Sequence, residues 1–190
     1  WRIALVSALF SFISSYLGMK IALGIDQVFL KKAMILILPA IAVILLLKRN
    51  FGNENKSKEI PQKKTFVLAA LIGACVGFYD GLIGPGTGTI AIIAYSAWMK
   101  YDLKTASGNA KLLNLASNYA SLTAVLINNK VIFSIAIPAA VCGIIGNYLG
   151  AGFALKKGAA FIRPLMIVVI ILLFAKLFYD VFGKMILGLF

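Results

Sequence analysis

Apolar residues run through this chain in long blocks, each closed by lysines, asparagines or a glycine–proline cluster. The blocks cover about 3–23, 33–47, 106–127, 131–154 and 161–179. Several reach the roughly 20 residues that a helix needs to cross a bilayer. Strict alternation, the mark of a half-buried strand, is missing from them, so the pattern predicts helices. Two shorter runs, 65–79 and 89–99, flank Asp80–Gly81–Leu82–Ile83–Gly84–Pro85–Gly86–Thr87–Gly88, and neither run reaches 20 residues. The stretch 48–64 (KRNFGNENKSKEIPQKK) is polar and basic, and it is the single credible boundary inside the chain. A short, positive connection of this kind predicts a cytoplasmic linker.

Composition turns this pattern into a fold class. Of 190 residues, 62% are hydrophobic and 13% charged, and the mean hydropathy is +0.97. A soluble domain has about 45–50% apolar residues and could not hide this much apolar surface. The expectation is an all-α polytopic membrane protein. Lys and Arg number 19 against six Asp and Glu. These positive charges sit at the ends of apolar blocks and in the linker, where they set topology. They form no solvated basic face for nucleic acid. The chain has no histidine, which removes imidazole bases and histidine metal sites. No cofactor or metal is called for. With six acids and no histidine, an enzyme has few groups to work with. Cys75 and Cys142 lie in apolar stretches and read as buried, space-filling thiols.

An internal repeat organises the chain. A shift of 132 residues lays Tyr16, Leu17, Gly18, Ala22, Leu23, Phe29, Met34 and Ile35 on Tyr148, Leu149, Gly150, Ala154, Leu155, Phe161, Met166 and Ile167, with Lys31 on Arg163. Ser7, Ser11, Ser14 and Ser15 fall on Ala139, Gly143, Gly146 and Asn147, small on small. Residues 1–48 thus read as the end of a first half, 49–64 as the linker and 65–190 as a complete second half. The sequence starts at Trp1 within an apolar block. The expectation is that a first broken segment, matching 65–130, precedes it. The halves are inverted if 65–99 forms a re-entrant hairpin or if both of its runs cross, and parallel if together they make one broken crossing.

The glycine-rich break is the strongest candidate for chemistry. Gly81, Gly84, Gly86 and Gly88 with Pro85 predict that the helix stops across 80–88. Opened backbone at bilayer depth must be satisfied by protein or by a wet cavity. The free N–H groups that start the next helix suit an anion, and Thr87 and Thr89 add hydroxyls. A bland alternative is a tight crossing that uses glycine for close approach. Asp80 is an acid at membrane depth, hence a functional candidate. It either carries a coupling proton or caps the break. On the 106–127 helix, Ser107, Lys111, Asn114, Asn118 and Ser121 fall within about 80° of arc. This stripe lines a cavity or a helix pair. Lys111 would neutralise an anion, pair with Asp80 or snorkel to the interface. Ala139, Gly143, Gly146, Asn147 and Gly150 read as a face for close helix packing, and Tyr16 and Tyr148 as packing residues. Lys176 and Asp180 read as an interfacial pair.

FYDGLIGPGTGT, then ASGNAKLLNLASNYASL and NKVIF…GNYLGAGFALKKGAAFIRPLM, resemble the TauE/SafE family of membrane permeases, most closely its YfcA-like branch. The resemblance covers 65–180, with 1–48 fitting the end of the first half. It implies a multi-pass permease of the bacterial inner membrane with two similar halves, moving sulfite, sulfonates or other small organic anions. Carried residue by residue, its motif falls on Asp80, Gly84, Pro85, Gly86, Thr87, Gly88, Asn109, Lys111 and Asn114. With the first broken segment outside the sequence, half of the family's binding site is expected to lie elsewhere.

The expected function is a secondary transporter for a small, sulfur-containing anion working by alternating access, with the bilayer and the anion as partners. Its binding residues would be the motif positions together with Thr89 and Asn118. The rivals are a proton- or cation-coupled carrier centred on Asp80 and a non-transporting membrane scaffold.

Overall fold

A computed structural model describes residues 2–47, 55–157 and 159–179. These residues form seven α-helices: α1 (Arg2–Ala22), α2 (Gln27–Leu47), α3 (Gln62–Leu82), α4 (Thr87–Trp98), α5 (Leu103–Ile127), α6 (Phe133–Lys157) and α7 (Ala159–Phe178). One 3-10 turn, Ser57–Glu59, precedes α3. The architecture is all-helical, as the blocks predict. By length and composition, α1, α3 and α6 are each able to cross a membrane. Residues 48–54 of the linker and Asp180 of the proposed Lys176 pair lie outside the described residues.

Small residues govern the centre. Ser7, Ser11 and Ser15 of α1 face Gly73, Gly77 and Gly81 of α3, both sets spaced by four. A Cβ on Gly73 or Gly81 would strike the backbone of Ser7 or Ser15, and one on Gly77 would come 2.5 Å from Ser11 Cα. Gly18 returns the favour: its Cβ would sit 2.5 Å from the Phe78 carbonyl oxygen. Side chains this small let two helix backbones touch, which is how helices associate where lipid offers no hydrophobic drive. The serine hydroxyls then bond across the seam. Ser11 Oγ donates to the Leu113 carbonyl (3.3 Å), Ser15 Oγ to the Ser117 carbonyl (3.0 Å), and Ser15 and Ser121 share a 2.9 Å bond. Because these pairs advance together, α1, α3 and α5 run parallel.

α3 turns back through residues 83–86 into α4, which packs against α3 and α5. The buried cluster of Ile72, Val76, Ile92, Tyr95, Met99, Leu103 and Leu113 fills the space between them. Tyr95 is fully buried, with its hydroxyl donating to Ser7 Oγ at 2.6 Å. The hairpin ends where it began. The Lys56 amide donates to the Lys100 carbonyl, Asn55 Nδ2 to Asp102 Oδ2 (3.0 Å), and Lys100 pairs with Glu59 at 2.7 Å. Asp102 caps α5, accepting from the Thr105 amide at 2.9 Å. Partial burial opposes ionisation of Asp102, but bonds from Thr105, Asn55 and the Lys104 amide outweigh it and hold the carboxyl below its ordinary value. Lys100 does the same for the exposed Glu59 through its hydrogen bond and charge.

α6 runs against α5. Its later residues, Gly146 to Ala154, share a cavity wall with Ser107 and Lys111 near the start of α5. The end of α6 thus lies near the start of α5, as expected of a helix running opposite to α1, the helix it matches at the 132-residue shift, and α7 starts where α2, shifted, would start. Of the three arrangements that the sequence leaves open, this geometry agrees with the two that give inverted halves, a re-entrant hairpin or two crossing runs.

Several expectations change. The run 65–79 is the inner part of a 21-residue helix, because Gln62, Lys63 and Lys64 begin it and Asp80, Gly81 and Leu82 end it. The break shrinks from 80–88 to 83–86, since Gly81 and Gly88 are helical. At Gly81 the close-approach reading of glycine holds. Cys75 and Cys142 are exposed on outward faces rather than buried. Gly143, Gly146 and Gly150 have no atoms within 4 Å of a built Cβ, so the small-residue face of α6 is unpacked in this chain. Tyr148, 81% exposed, packs no core either.

Candidate functional site

The break is a fixed object rather than a loose loop. Gly84 and Gly86 both sit at φ +87°, in the left-handed region that an L side chain enters only with strain. Pro85 lies between them, and its carbonyl accepts the Tyr79 hydroxyl at 2.7 Å. The Thr87 hydroxyl donates to the Gly84 carbonyl. Thr87 is buried and committed to holding the loop, so the donor role expected of it passes to its neighbours.

Those neighbours are the first turn of α4. Gly86 is the N-cap and offers no side chain. The Thr87 amide bonds Gly84 and the Ile90 amide bonds Gly86, which leaves the Gly88 and Thr89 amides without an acceptor among the described residues. Thr89 is 7% exposed, and no hydrogen bond joins its hydroxyl to the other described residues. Gly88 and Thr89 line a cavity of about 360 Å³ together with Ser107, Lys111 and Asn147. The residues that carry two amides, one hydroxyl and one ammonium thus border a single space, at the positive end of a helix dipole.

Asn114 stands beside Gly88: a Cβ there would meet Asn114 Nδ2 at 3.4 Å. Its Oδ1 is buried without a partner. Lys111 also lines a second groove of about 460 Å³ with Ala4, Gly108 and Asn109, on the other flank of α5. Asn109 faces that groove and donates to its own helix at the Thr105 carbonyl (2.8 Å). Asn118 is exposed and lines neither space. The structure therefore brings Gly88, Thr89, Lys111 and Asn114 together, with Gly84, Pro85, Gly86 and Thr87 as the support beneath them. It leaves Asn109 and Asn118 outside.

Asp80 is in the last turn of α3, half-buried, on the other side of the break. Its carboxylate accepts from Ser117 Oγ of α5 and lies by the Thr87 hydroxyl, and no backbone amide of the break donates to it among the described residues, so it does not cap them. No ion pair joins Asp80 to Lys111 among the described residues. Ser117 was missed from sequence because it lies beside the expected polar stripe, on the buried Ala106–Ala110–Leu113–Ser117 face of α5. The spacing of Gly73, Gly77 and Gly81 was a readable signal for the α1–α3 contact that places Asp80.

With this geometry in hand, comparison with known proteins gives a consistent result. The profile of the sulfite exporter TauE/SafE family matches residues 1–177. The chain is 30% identical over 169 residues to a probable membrane transporter protein of Haemophilus influenzae, covering 89% of this chain and 65% of that one. It is 31% identical over 179 residues to the probable membrane transporter protein YfcA of Escherichia coli K12, covering 93% of this chain and 65% of the relative. A probable membrane transporter protein, ORF9, of a Sinorhizobium species is 29% identical over 173 residues, at 91% and 65% coverage. The chain thus spans about 65% of the length of these curated relatives. No solved structure matches.

Proposed function

This chain belongs to the sulfite exporter TauE/SafE family of membrane proteins, and from that premise we propose that it is a secondary transporter that binds a small anion at the start of α4. The relatives, named as probable membrane transporters, support transport as the activity. One observation carries the anion: the Gly88 and Thr89 amides and the Thr89 hydroxyl have no acceptor among the described residues, and Gly88 and Thr89 border a cavity shared with Lys111. A helix start is a ready anion site, and in a membrane interior such donors remain open only where a ligand or water meets them. Sulfite, as the family's name suggests, or a sulfonate of like charge fits a site made of N–H and O–H donors and one cation. Transport proceeds by alternating access, with the re-entrant α3–α4 tip as the fixed floor of the site and the bacterial inner membrane as its setting.

The test is counterflow of labelled sulfite and methanesulfonate in vesicles carrying the protein. Lys111→Gln and Thr89→Val are expected to cut the flux at least tenfold. Undiminished flux in both variants would overturn the assignment.

A second reading is favoured by Asp80, a membrane-depth carboxylate bonded to a neutral hydroxyl with no cation paired to it. In that reading Asp80 exchanges the proton that drives the anion. A non-transporting scaffold predicts neither flux nor anion binding.

A further inference from the structure

The cavity that Gly88, Thr89 and Lys111 border has a wall made by α6. That helix contributes Gly146, Asn147, Gly150, Ala151 and Ala154 to the lining. Four of these carry only a hydrogen or a methyl group as side chain, and α7 adds apolar residues, Phe161 and Leu165 among them. Asn147 is the one polar side chain that α6 and α7 bring to this lining among the described residues. Resting on the anion reading above, we infer that Asn147 is a further binding residue for the anion, supplied by α6, and that the bound anion draws α6 toward α5.

The bonding of Asn147 leaves it a donor to give. Its Nδ2 donates to the Gly143 carbonyl at 3.0 Å. A carbonyl only accepts, so this bond fixes which end of the carboxamide is nitrogen. An amide nitrogen carries two hydrogens, and one of them is used here. The other belongs to a group already anchored, and a hydrogen bond from it to a charged ligand is of the stronger kind. The repeat supplies the contrast. Ser15, matched to Asn147 at the 132-residue shift, is fully buried and bonds the Ser117 carbonyl and Ser121 in the packed seam. Asn147 is exposed, with open space about Gly143, Gly146 and Gly150. A packed seam calls for a small side chain, and the position on the cavity wall carries a carboxamide instead.

α6 is also free to respond. It buries none of its described residues. Pro138 removes one rung of its hydrogen-bond ladder before Asn147, which lets the later part of the helix swing on the earlier part. No atom lies within 4 Å of a Cβ built on Gly143, Gly146 or Gly150, so a swing toward α5 meets nothing at these positions. An anion held by α4 and α5 on one side and by Asn147 on the other binds the closed arrangement better than the open one, and that difference shifts the population toward closure.

The experiment uses the protein in lipid nanodiscs, with sulfite and methanesulfonate as probes, read by calorimetry at one pH and ionic strength. Asn147→Ala is expected to weaken both anions about tenfold, as loss of one hydrogen bond to a charged group does, with an unchanged melting temperature because the side chain is exposed. Asn147→Asp has the same size, sets a carboxylate beside the anion and is expected to weaken both further. Tyr148→Ala, at a residue that does not line this cavity, is expected to bind as the parent does. Closure is read as the distance between spin labels on Lys104→Cys and Lys157→Cys, at the start of α5 and the end of α6, with Cys75→Ser and Cys142→Ser. Methanesulfonate is expected to shorten that distance, and Asn147→Ala to abolish the shortening. Undiminished affinity in both Asn147 variants, or an equal loss in Tyr148→Ala, overturns the role of Asn147, while a loss in Lys111→Gln keeps the α4 site standing. Binding without shortening overturns the closure. Failure of the parent protein to bind either anion overturns the anion reading itself.

Discussion

The backbone of Ser15 lies directly against Gly81, so close that a methyl group on Gly81 has nowhere to go. Both sides of this contact are main chain, and no rotamer change can relieve it. Gly81→Ala is therefore expected to separate α1 from α3 and destabilise the fold by about 1–3 kcal/mol or more, the usual cost of overpacking. Gly143→Ala, with open space around it, is the matched control and is expected to leave stability unchanged or slightly higher. Thermal unfolding in detergent, followed by helical circular dichroism, compares the two.

Gly84 and Gly86 hold the break through positive φ rather than through close contacts. Alanine at either position is expected to cost roughly 1–2 kcal/mol and to shift the first turn of α4. The measurable result is anion binding weakened about tenfold while the helical content persists. Full binding by both variants would show that the loop geometry does not set the site.

Thr87 and Thr89 are two residues apart and are expected to behave differently. The Thr87 hydroxyl donates to Gly84, and the Thr89 hydroxyl has no hydrogen bond among the described residues. Thr89→Val removes a donor to a charged ligand, worth about 1.5–3 kcal/mol, and is expected to weaken anion binding with little change in melting temperature. Thr87→Val is expected to lower the melting temperature. Parallel titration and melting of the two variants separates these effects.

Ser117 and Asp80 form one joint between α5 and α3. Asp80→Asn keeps an oxygen to accept from Ser117, so the fold is expected to survive. If Asp80 carries the coupling proton, the variant loses the dependence of uptake on an imposed pH gradient while retaining anion counterflow. An unchanged response to the gradient would remove Asp80 from that role.

Acid should loosen the linker side first. The Asp102 and Glu59 carboxyls titrate below their ordinary values in the folded chain. A folded-state value held down by partners means that the stabilisation is present above the unfolded value. It is lost as pH falls through the lowered one. Melting temperature is expected to be flat from neutral pH to about pH 5 and to fall below about pH 4. Asp102→Ala, which deletes the α5 cap at a cost of about 0.5–2 kcal/mol, is expected to show a lower plateau and a shallower acid slope.

Much of this was legible beforehand. Apolar blocks and lysine punctuation gave the helices, and the 132-residue shift carries the bounds of α1 and α2 onto α6 and α7 within about three residues. The glycine–proline cluster located the break. What sequence could not supply was which glycines serve which purpose. Gly81 and Gly84 look alike in a string of letters, yet one is small because a neighbouring helix presses on it and the other because its backbone is left-handed. The same limit applies on α5, where Asn118 shares the arc of Lys111 but ends up outside the cavity, and Ser117, off that arc, reaches Asp80. Helical angle gives direction from an axis, and neighbours decide what occupies it.

The antiparallel relation of α1 and α6 reaches beyond packing. Two copies of one motif, were they set head to tail across a bilayer, would present related surfaces at both membrane faces. A tilt that uncovers the ligand toward one compartment then has a near-twin of similar energy toward the other. Small differences between the copies, such as Ser15 against Asn147, would bias which compartment the resting molecule faces.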